Sequence, residues 1–244
     1  MYGVFGAVVG SFLNVCIDRL PQGGSLFHPP SHCPSCQQRL AAWDLIPVIS
    51  YLWLRGRCRY CGASIPYRVL GVELGAAFLF GFLWWWYGPG IPLLIVTFYG
   101  SLFLVIAIID LEHGLILDRL VYPAVVISLV LAIFYAKPGL VSALMGGGLG
   151  FIILLLPVLV YRESMGWGDV KMAGLIGVVT GFPVVVIALF IAFISGGLVG
   201  AIMLLSRRKG RKATIPFGPF LSLGTVLALL WGQSLLDWYL HLFS

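Results

Sequence analysis

The sequence predicts an all-α polytopic membrane protein with about eight transmembrane helices. Hydrophobic residues make up 60% of the 244 residues and charged residues only 10%, whereas a soluble domain carries about 25% charged residues. Long runs without a single charge recur along the chain, and most approach or exceed the ~17–25 residues that cross a bilayer as a helix. When these runs are treated as spans, nearly all basic residues fall on one side of the membrane. These observations also predict the lipid bilayer as a partner.

The predicted spans follow from the charge-free runs in chain order. Residues 1–17 form a short first span. We expect no cleavable signal peptide, because no basic region precedes this span and no small-residue cleavage site ends it. Residues 74–109 are divided by "YGPGIP" into two spans, and three more are predicted over 120–136, 138–161 and 213–236.

The 35-residue run 172–206 forms either one long tilted helix or two short helices broken at "TGFP", Thr180 to Pro183. Gly-Pro punctuation favours the break. With the break, eight spans place both termini outside, and fourteen of the fifteen Lys and Arg residues face the cytoplasm, Lys137 being the exception. Without it, "RRKGRK" at 207–212 would lie outside, against the positive-inside rule. Topology thus explains the net charge of +6, and we expect no nucleic-acid partner.

The predicted organisation has three parts. Residues 1–17 are the first transmembrane helix, residues 18–72 a cytoplasmic loop between the first two spans, and residues 73–244 a membrane core with short loops. The loop is the only long polar segment of the chain, so a specialised role is expected there.

Four cysteines in this loop form two CxxC pairs, Cys33 with Cys36 and Cys58 with Cys61, separated by 21 residues. A CxxC turn presents two sulfurs to one metal, and four thiolates form a closed tetrahedral zinc site that is structural. Zinc ribbons usually have about 15–20 residues between their pairs, so the spacing is a near match. Two disulfides or idle thiols are the alternative, which the reducing cytosol disfavours. We expect one structural Zn²⁺.

Two aspartates interrupt the apolar core. Asp110 ends an uncharged run in "AIIDLEHG", and Asp169 starts the sixth predicted span in "GWGDVK", where Gly166 and Gly168 let the backbone bend closely. A carboxylate at membrane depth is costly and functional by default. If two such acids approach each other they share a proton, so that one activates water while the other polarises a carbonyl group, as in aspartic proteases.

Other interpretations of these acids stay open from the residues alone. The pair could equally line an ion or proton pathway. Asp169 could cap a helix that begins at Val170, whereas capping does not suit Asp110, at a helix end where the macrodipole disfavours an anion. Asp118, in "LILDRLVYP", is expected to cap the following span or to give polar support.

Several stretches, in order along the whole chain, resemble the type IV prepilin peptidases, which are bifunctional leader peptidases and N-methyltransferases of the bacterial inner membrane. They are "GSFLNVCIDRLP" (Gly10–Pro21), "IPVISYLWLRGRCRYC" (Ile46–Cys61) with the tetracysteine loop, "IDLEHGLILD" (Ile109–Asp118), "GWGD" (Gly166–Asp169) followed by Val170 and Lys171, and "IPFGPFLSLG" (Ile215–Gly224).

The resemblance implies that Asp110 and Asp169 are a catalytic pair at the cytoplasmic face. It implies cleavage of the basic leader of prepilins or pseudopilins after a glycine, followed by S-adenosylmethionine-dependent methylation of the new amine. Glu73, in "YRVLGVELG", resembles a polar family position and is the candidate for cofactor contact. Leu117 departs from the family, which usually has proline there.

Three other functions fit part of the sequence. Another GxGD intramembrane protease, similar to signal peptide peptidase or presenilin, would leave the tetracysteine loop without a reason. A proton-coupled transporter using the two aspartates predicts broken midplane spans and related halves, and the sequence has no long repeat. A zinc-ribbon scaffold would leave both aspartates unexplained.

Overall fold

The computed structural model describes residues 1–135, 138–160, 166–205 and 216–242. Over these residues the chain folds into α-helices with one 3₁₀ turn and no strand, so the predicted all-α class is confirmed. Lys137, Arg162 and the basic cluster 207–212, which entered the topology prediction, lie outside the described residues. The helices are α1 Tyr2–Arg19, α2 Ile49–Trp53, α3 Tyr67–Tyr87, α4 Ile91–His113, α5 Asp118–Phe134, α6 Leu140–Val160, α7 Trp167–Thr180, α8 Val184–Leu205 and α9 Gly218–His241, with the 3₁₀ turn at Ala42–Leu45.

A helix coincides with each predicted span, but the helices differ in length. In the described part of the chain five are long and apolar enough to cross a membrane: α3, α4, α6, the Val184–Met203 part of α8, and α9. Helices α1, α5 and α7 have 18, 17 and 14 residues. Five described helices therefore meet the requirements of length and composition for a membrane span, and the number of eight spans stays a prediction.

Both breaks that Gly and Pro predicted are present. Helix α3 ends at Tyr87 and α4 begins at Ile91, with Gly88 between them at φ +63°. Helix α7 ends at Thr180 and α8 begins at Val184, with Gly181 at φ +72°. A side chain is strained at positive φ, so glycine suits both turns. The two-helix interpretation of residues 172–206 is confirmed.

The chain divides into two compact units, residues 1–101 and 102–244. In the first unit α1 packs along α3, and glycines permit the close approach. A Cβ atom at Gly10 would lie 2.9 Å from the Glu73 Cα atom, and one at Gly6 would lie 2.7 Å from the Phe80 Cβ atom. The tetracysteine loop connects these two helices. The predicted division into residues 1–17, 18–72 and 73–244 concerns position relative to the membrane, whereas the two compact units are defined by contacts within the chain. The three-part division therefore stays a prediction.

In the second unit α7 is the central helix and contacts α5, α6, α8 and α9. Beyond its first turn most of its residues are buried, with Val170, Met172, Leu175 and Ile176 fully enclosed. Close packing in lipid depends on small residues that let backbones approach. Gly146 and Gly150 of α6 pack directly against the backbone of α7, where a Cβ atom has no room. This packing fixes the start of α7, where Asp169 lies.

Candidate functional site

Asp110 lies in the last turn of α4 and is only 5% exposed. One of its carboxyl oxygens, Oδ2, accepts a hydrogen bond of 2.8 Å from the backbone N–H of Gly218, the first residue of α9. The two residues are 108 positions apart in the chain. Asp110 is therefore buried, and its carboxyl group is held by a hydrogen bond from α9, a helix distant in the sequence.

Asp169 is the third residue of α7, whose N-cap position is Gly166. The Asp169 backbone N–H donates to the Gly166 carbonyl oxygen at 3.1 Å. The alternative in which Asp169 caps a helix starting at Val170 is therefore wrong, because the helix starts two residues before Asp169. Gly168 has a packing reason to be glycine, since a Cβ atom there would lie 2.9 Å from the Ile116 Cβ atom.

The second unit brings the two carboxyl groups together, close enough for the charge of Asp110 to act on Asp169. Asp110 comes from the end of α4 and Asp169 from the beginning of α7. Neighbouring carboxyl groups do not both ionise readily, so two such acids can share one proton and titrate as a pair. Such a pair is chemically suited to general acid–base catalysis.

A lysine and an aspartate form an ion pair beside this site. The Lys171 Nζ atom donates to both oxygens of Asp118, at 2.8 and 2.9 Å, and lies 5.5 Å from the centre of the Tyr122 ring. Asp118 is the first residue of α5, behind the N-cap Leu117, and makes no capping hydrogen bond. The prediction that Asp118 caps α5 is therefore wrong. Its ion pair with Lys171 fits the alternative expectation, a polar supporting role. The pair joins α5 to the first turns of α7.

The four loop cysteines converge. The Sγ atoms of Cys33, Cys36, Cys58 and Cys61 all lie within 4.8 Å of one another, and those of Cys33 and Cys61 are 3.8 Å apart. Zinc–sulfur bonds of about 2.3 Å in a tetrahedron place the sulfurs about 3.8 Å apart. All four cysteines are free, so the disulfide alternative is not realised. The cluster has the ligands and the size for one metal ion.

Both CxxC turns share one backbone design. The Gln37 N–H donates to the Cys33 carbonyl and the Gly62 N–H to the Cys58 carbonyl, at 2.8 and 3.0 Å. Gln37 and Gly62 both have positive φ, 59° and 72°. This repetition presents two sulfurs from each turn in the same way, which explains how two separated sequences form one cluster.

The cysteine thiols differ in acidity. Backbone N–H groups of Cys36 and Ser35 lower the pKa of the Cys33 thiol to about 6. At Cys61 the Ala63 N–H lowers the pKa, but desolvation and the neighbouring sulfurs raise it to about 12. Four negative charges cannot be held so close together without a cation, and a bound divalent metal stabilises all four thiolates.

Asp44 fastens the second CxxC turn to the 3₁₀ turn. Its carboxylate accepts from the Arg59 guanidinium at 2.7 Å, from the Tyr60 hydroxyl at 3.2 Å and from the Ala41 N–H at 3.2 Å. Desolvation raises the pKa of Asp44, but the hydrogen bond and charge of Arg59 and the Ala41 N–H hold it below its usual value. Arg59 and Tyr60 are the two residues between Cys58 and Cys61, so Asp44 orients one half of the metal cluster.

Glu73 is buried in α3, and its Oε2 atom accepts the Val48 N–H at 2.7 Å. Val48 has φ +63°, which a β-branched residue rarely adopts, so this bond helps to hold the loop where α2 begins. Nearby in the first unit, Asn14 donates to the Gly10 and Val69 carbonyls, while its Oδ1 atom is buried without a hydrogen-bond partner in the described residues.

Sequence reasoning missed Asp44 and Gly218. Asp44 is the only acid between Asp18 and Glu73, in a loop with several arginines, which was a signal of an ion pair. Gly218 lies in "IPFGPFLSLG", where glycine before proline marks the start of a helix, but nothing local pointed to Asp110.

Comparisons with known proteins agree with this architecture. The bacterial peptidase A24 N-terminal domain matches residues 4–87, and the type IV leader peptidase family matches residues 97–201. The prepilin leader peptidase/N-methyltransferase of Stutzerimonas stutzeri is 34% identical over 98% of this chain and 92% of its own length. Proteins of the same name from Pseudomonas aeruginosa and Bacillus subtilis are 32% and 29% identical, over 98% of this chain and 92% and 96% of theirs. No solved structure matches the chain. The near-complete coverage and the matches to both family models show that this chain belongs to the type IV leader peptidase family.

Proposed function

We propose that this protein cleaves the basic leader from type IV prepilins or pseudopilins and then methylates the new N-terminal amine. The observation that carries the proposal is the meeting of Asp110 and Asp169 from two helices, in a chain that belongs to the type IV leader peptidase family. Relatives aligned along nearly the whole chain are named for both activities. The transporter and scaffold alternatives are not favoured by these relatives.

Asp110 and Asp169 are proposed as the catalytic residues. One carboxylate takes a proton from water as the water oxygen bonds to the carbonyl carbon, while the protonated partner gives its proton to the carbonyl oxygen. In the second half, the carbon–nitrogen bond breaks and the new amine takes the proton first removed from water. The hydroxyl proton of the intermediate returns to the other aspartate, so the pair ends as it began, with one proton.

The eight-span topology is proposed with the loop 18–72 and the two aspartates on the cytoplasmic side of the inner membrane. A 14-residue helix such as α7 is about 21 Å long, against a hydrocarbon core of about 30 Å. If α7 completes a crossing, Asp169 at its start lies at the edge of the apolar layer. That depth suits a substrate whose basic leader stays in the cytoplasm while its apolar helix enters the membrane.

For the metal, we propose zinc, because four thiolates suit it in size and softness. A closed set of four sulfurs leaves no ligand position for a reacting water, so the metal is structural. Gly166, Gly168, Asp118 and Lys171 are proposed to support the acids through the packing and ion pair described above.

S-adenosylmethionine, when bound, supplies the methyl group for the new amine. The first unit offers two buried acceptors on facing helices: the Glu73 carboxylate and the Oδ1 atom of Asn14, which has no hydrogen-bond partner among the described residues. Such acceptors suit the ammonium and sulfonium groups of the cofactor. Glu73 also accepts the Val48 N–H, so a Glu73→Gln variant has to be tested for cofactor binding and for loop stability together.

The test is cleavage of a pilin-like precursor by purified protein in lipid nanodiscs. Asp110→Asn and Asp169→Asn are expected to lose at least the ~10²–10⁴-fold that general acid–base catalysis contributes. Asp237→Asn is the matched control, because that aspartate is exposed and accepts a hydrogen bond from Gln233 within α9, away from the two acids. Asp169→Asn should still methylate a pre-cleaved pilin. Full cleavage by folded Asp110→Asn would refute the catalytic pair.

A further inference from the structure

We infer that Gly218 is a positioning residue for Asp110: its backbone N–H fixes the direction of the carboxyl group, and its lack of a side chain leaves room for that group. The inference rests on the proposed role of Asp110 in cleavage. It goes beyond that role by assigning a task to the start of α9, which contributes no acid to the pair.

The hydrogen bonds of the first turn of α9 single out one donor. The first N–H groups of any helix have no partner within the helix. Here Pro219 has no N–H, and the N–H groups of Phe220 and Leu221 both donate to the Phe217 carbonyl at 3.1 Å. The Gly218 N–H is the remaining donor, and it bonds to Asp110 Oδ2 at 2.8 Å in a buried setting.

The space at Gly218 admits no side chain. A Cβ atom there would lie 2.7 Å from Asp110 Oδ2, 3.0 Å from its Cγ atom and 3.1 Å from its Cβ atom. Because all three atoms are too close, the whole carboxyl group would have to move and not merely its tip. Asp110 is 5% exposed, so it has little space into which it can move.

The donor is itself held in place. The Phe217 ring lies 5.5 Å from the Phe193 ring of α8, centre to centre, and closely faces Gly196 of α8. This aromatic contact fixes the residue immediately before Gly218. The position of the N–H is thus set by packing between α8 and α9.

The consequence for Asp110 is orientation. A carboxyl group is planar, so fixing Oδ2 also fixes the direction of Oδ1, the oxygen left for water or substrate. A backbone N–H donates more strongly to a charged carboxylate than to a neutral carboxyl group. The contact therefore favours the charged form of Asp110, which is the form that removes a proton from water.

The test compares two Gly→Ala variants of the same helix. Gly218→Ala adds its methyl group against Asp110, whereas Gly232→Ala adds one 2.5 Å from the Val184 Cγ1 atom, away from the acids. We expect Gly218→Ala to lower kcat for precursor cleavage at least tenfold with KM within twofold. We expect Gly232→Ala to keep kcat although its thermal stability falls.

Wild-type kcat in folded Gly218→Ala, or equal losses of kcat in both variants, would overturn the inference. If Gly218→Ala does not fold, Phe217→Leu decides, since it loosens the donor and keeps glycine: a lower kcat at unchanged KM supports the inference and an unchanged kcat overturns it. Asp110→Asn in the same assay distinguishes a failure of the proposed catalytic pair from a failure of the role given to Gly218. If it cleaves normally, the proposed catalytic pair fails; if it is inactive while Gly218→Ala is normal, only the role of Gly218 fails.

Discussion

Gly177→Ala is expected to separate α6 from α7 and so to displace Asp169 without touching it. A Cβ atom at Gly177 would lie 2.7 Å from the Gly147 backbone nitrogen and even closer to the Gly146 carbonyl group. Carbon contacts are comfortable at about 3.5–4.0 Å, so the helices must move apart by about 1 Å. Backbone atoms cannot rotate away as a side-chain tip can, and overpacking of this kind typically costs about 1–3 kcal/mol.

The effect reaches the acid because the helix moves as a rod. Gly177 is eight residues from Asp169, about 12 Å along α7. A displacement of about 1 Å at a catalytic group costs about 10²-fold in rate. We therefore expect a comparable loss of kcat for precursor cleavage in nanodiscs, together with a lower midpoint of thermal unfolding.

The matched control is Gly148→Ala in α6, which makes the same change of residue where no atom lies within 4 Å. Alanine is the better helix former by about 1 kcal/mol, so this variant should be as active as the wild type and no less stable. If Gly177→Ala cleaves at the wild-type rate, or if both variants lose the same activity, the packing of α6 on α7 does not position Asp169.

Three further predictions concern the supporting contacts. Cys58→Ser should reduce the zinc content from about one per chain towards zero and unfold the loop, as measured by elemental analysis and by proteolysis; retained stoichiometric zinc would contradict the four-sulfur site. Asp44→Ala should release zinc to a chelator about 10-fold faster, because groups that orient metal ligands affect metal binding by about this much, whereas Asp18→Ala, which breaks the Arg68 pair instead, should not. Lys171→Asp and Asp118→Lys should each lower cleavage, and the double variant should recover at least half of the loss; no recovery would mean that the ion pair does not act on the site.

The sequence predicted those features that depend on local chemistry. Gly-Pro punctuation located the break between Thr180 and Val184, because glycine at positive φ ends a helix wherever it occurs. The spacing of the cysteines predicted their cluster, since a CxxC turn needs only a few residues to present two sulfurs. Both predictions used neighbours in the chain.

Contacts between distant residues were beyond such reasoning. Asp118 could be read as a cap because it begins a helix, but its position is one residue inside the helix and its carboxylate reaches Lys171, 53 residues away. A capping side chain acts from the residue just before the first helical residue, and here that residue is Leu117. Only the packing of α5 on α7 shows that the ion pair forms instead.

The two aspartates Asp118 and Asp110 are held in this apolar chain by different kinds of partner. Asp118 is half exposed and has a cationic partner, whereas Asp110 is buried and accepts a hydrogen bond from a backbone N–H. A lysine beside Asp110 would neutralise the charge that the proposed reaction uses, since an ion-paired carboxylate is a weaker base. A backbone N–H carries only a partial charge, so it orients the carboxyl group and still leaves it able to take a proton. Glycine at a helix contact lets the carboxyl group approach the backbone N–H, because no side chain lies between them. Residues without a side chain are therefore among those that position the two acids.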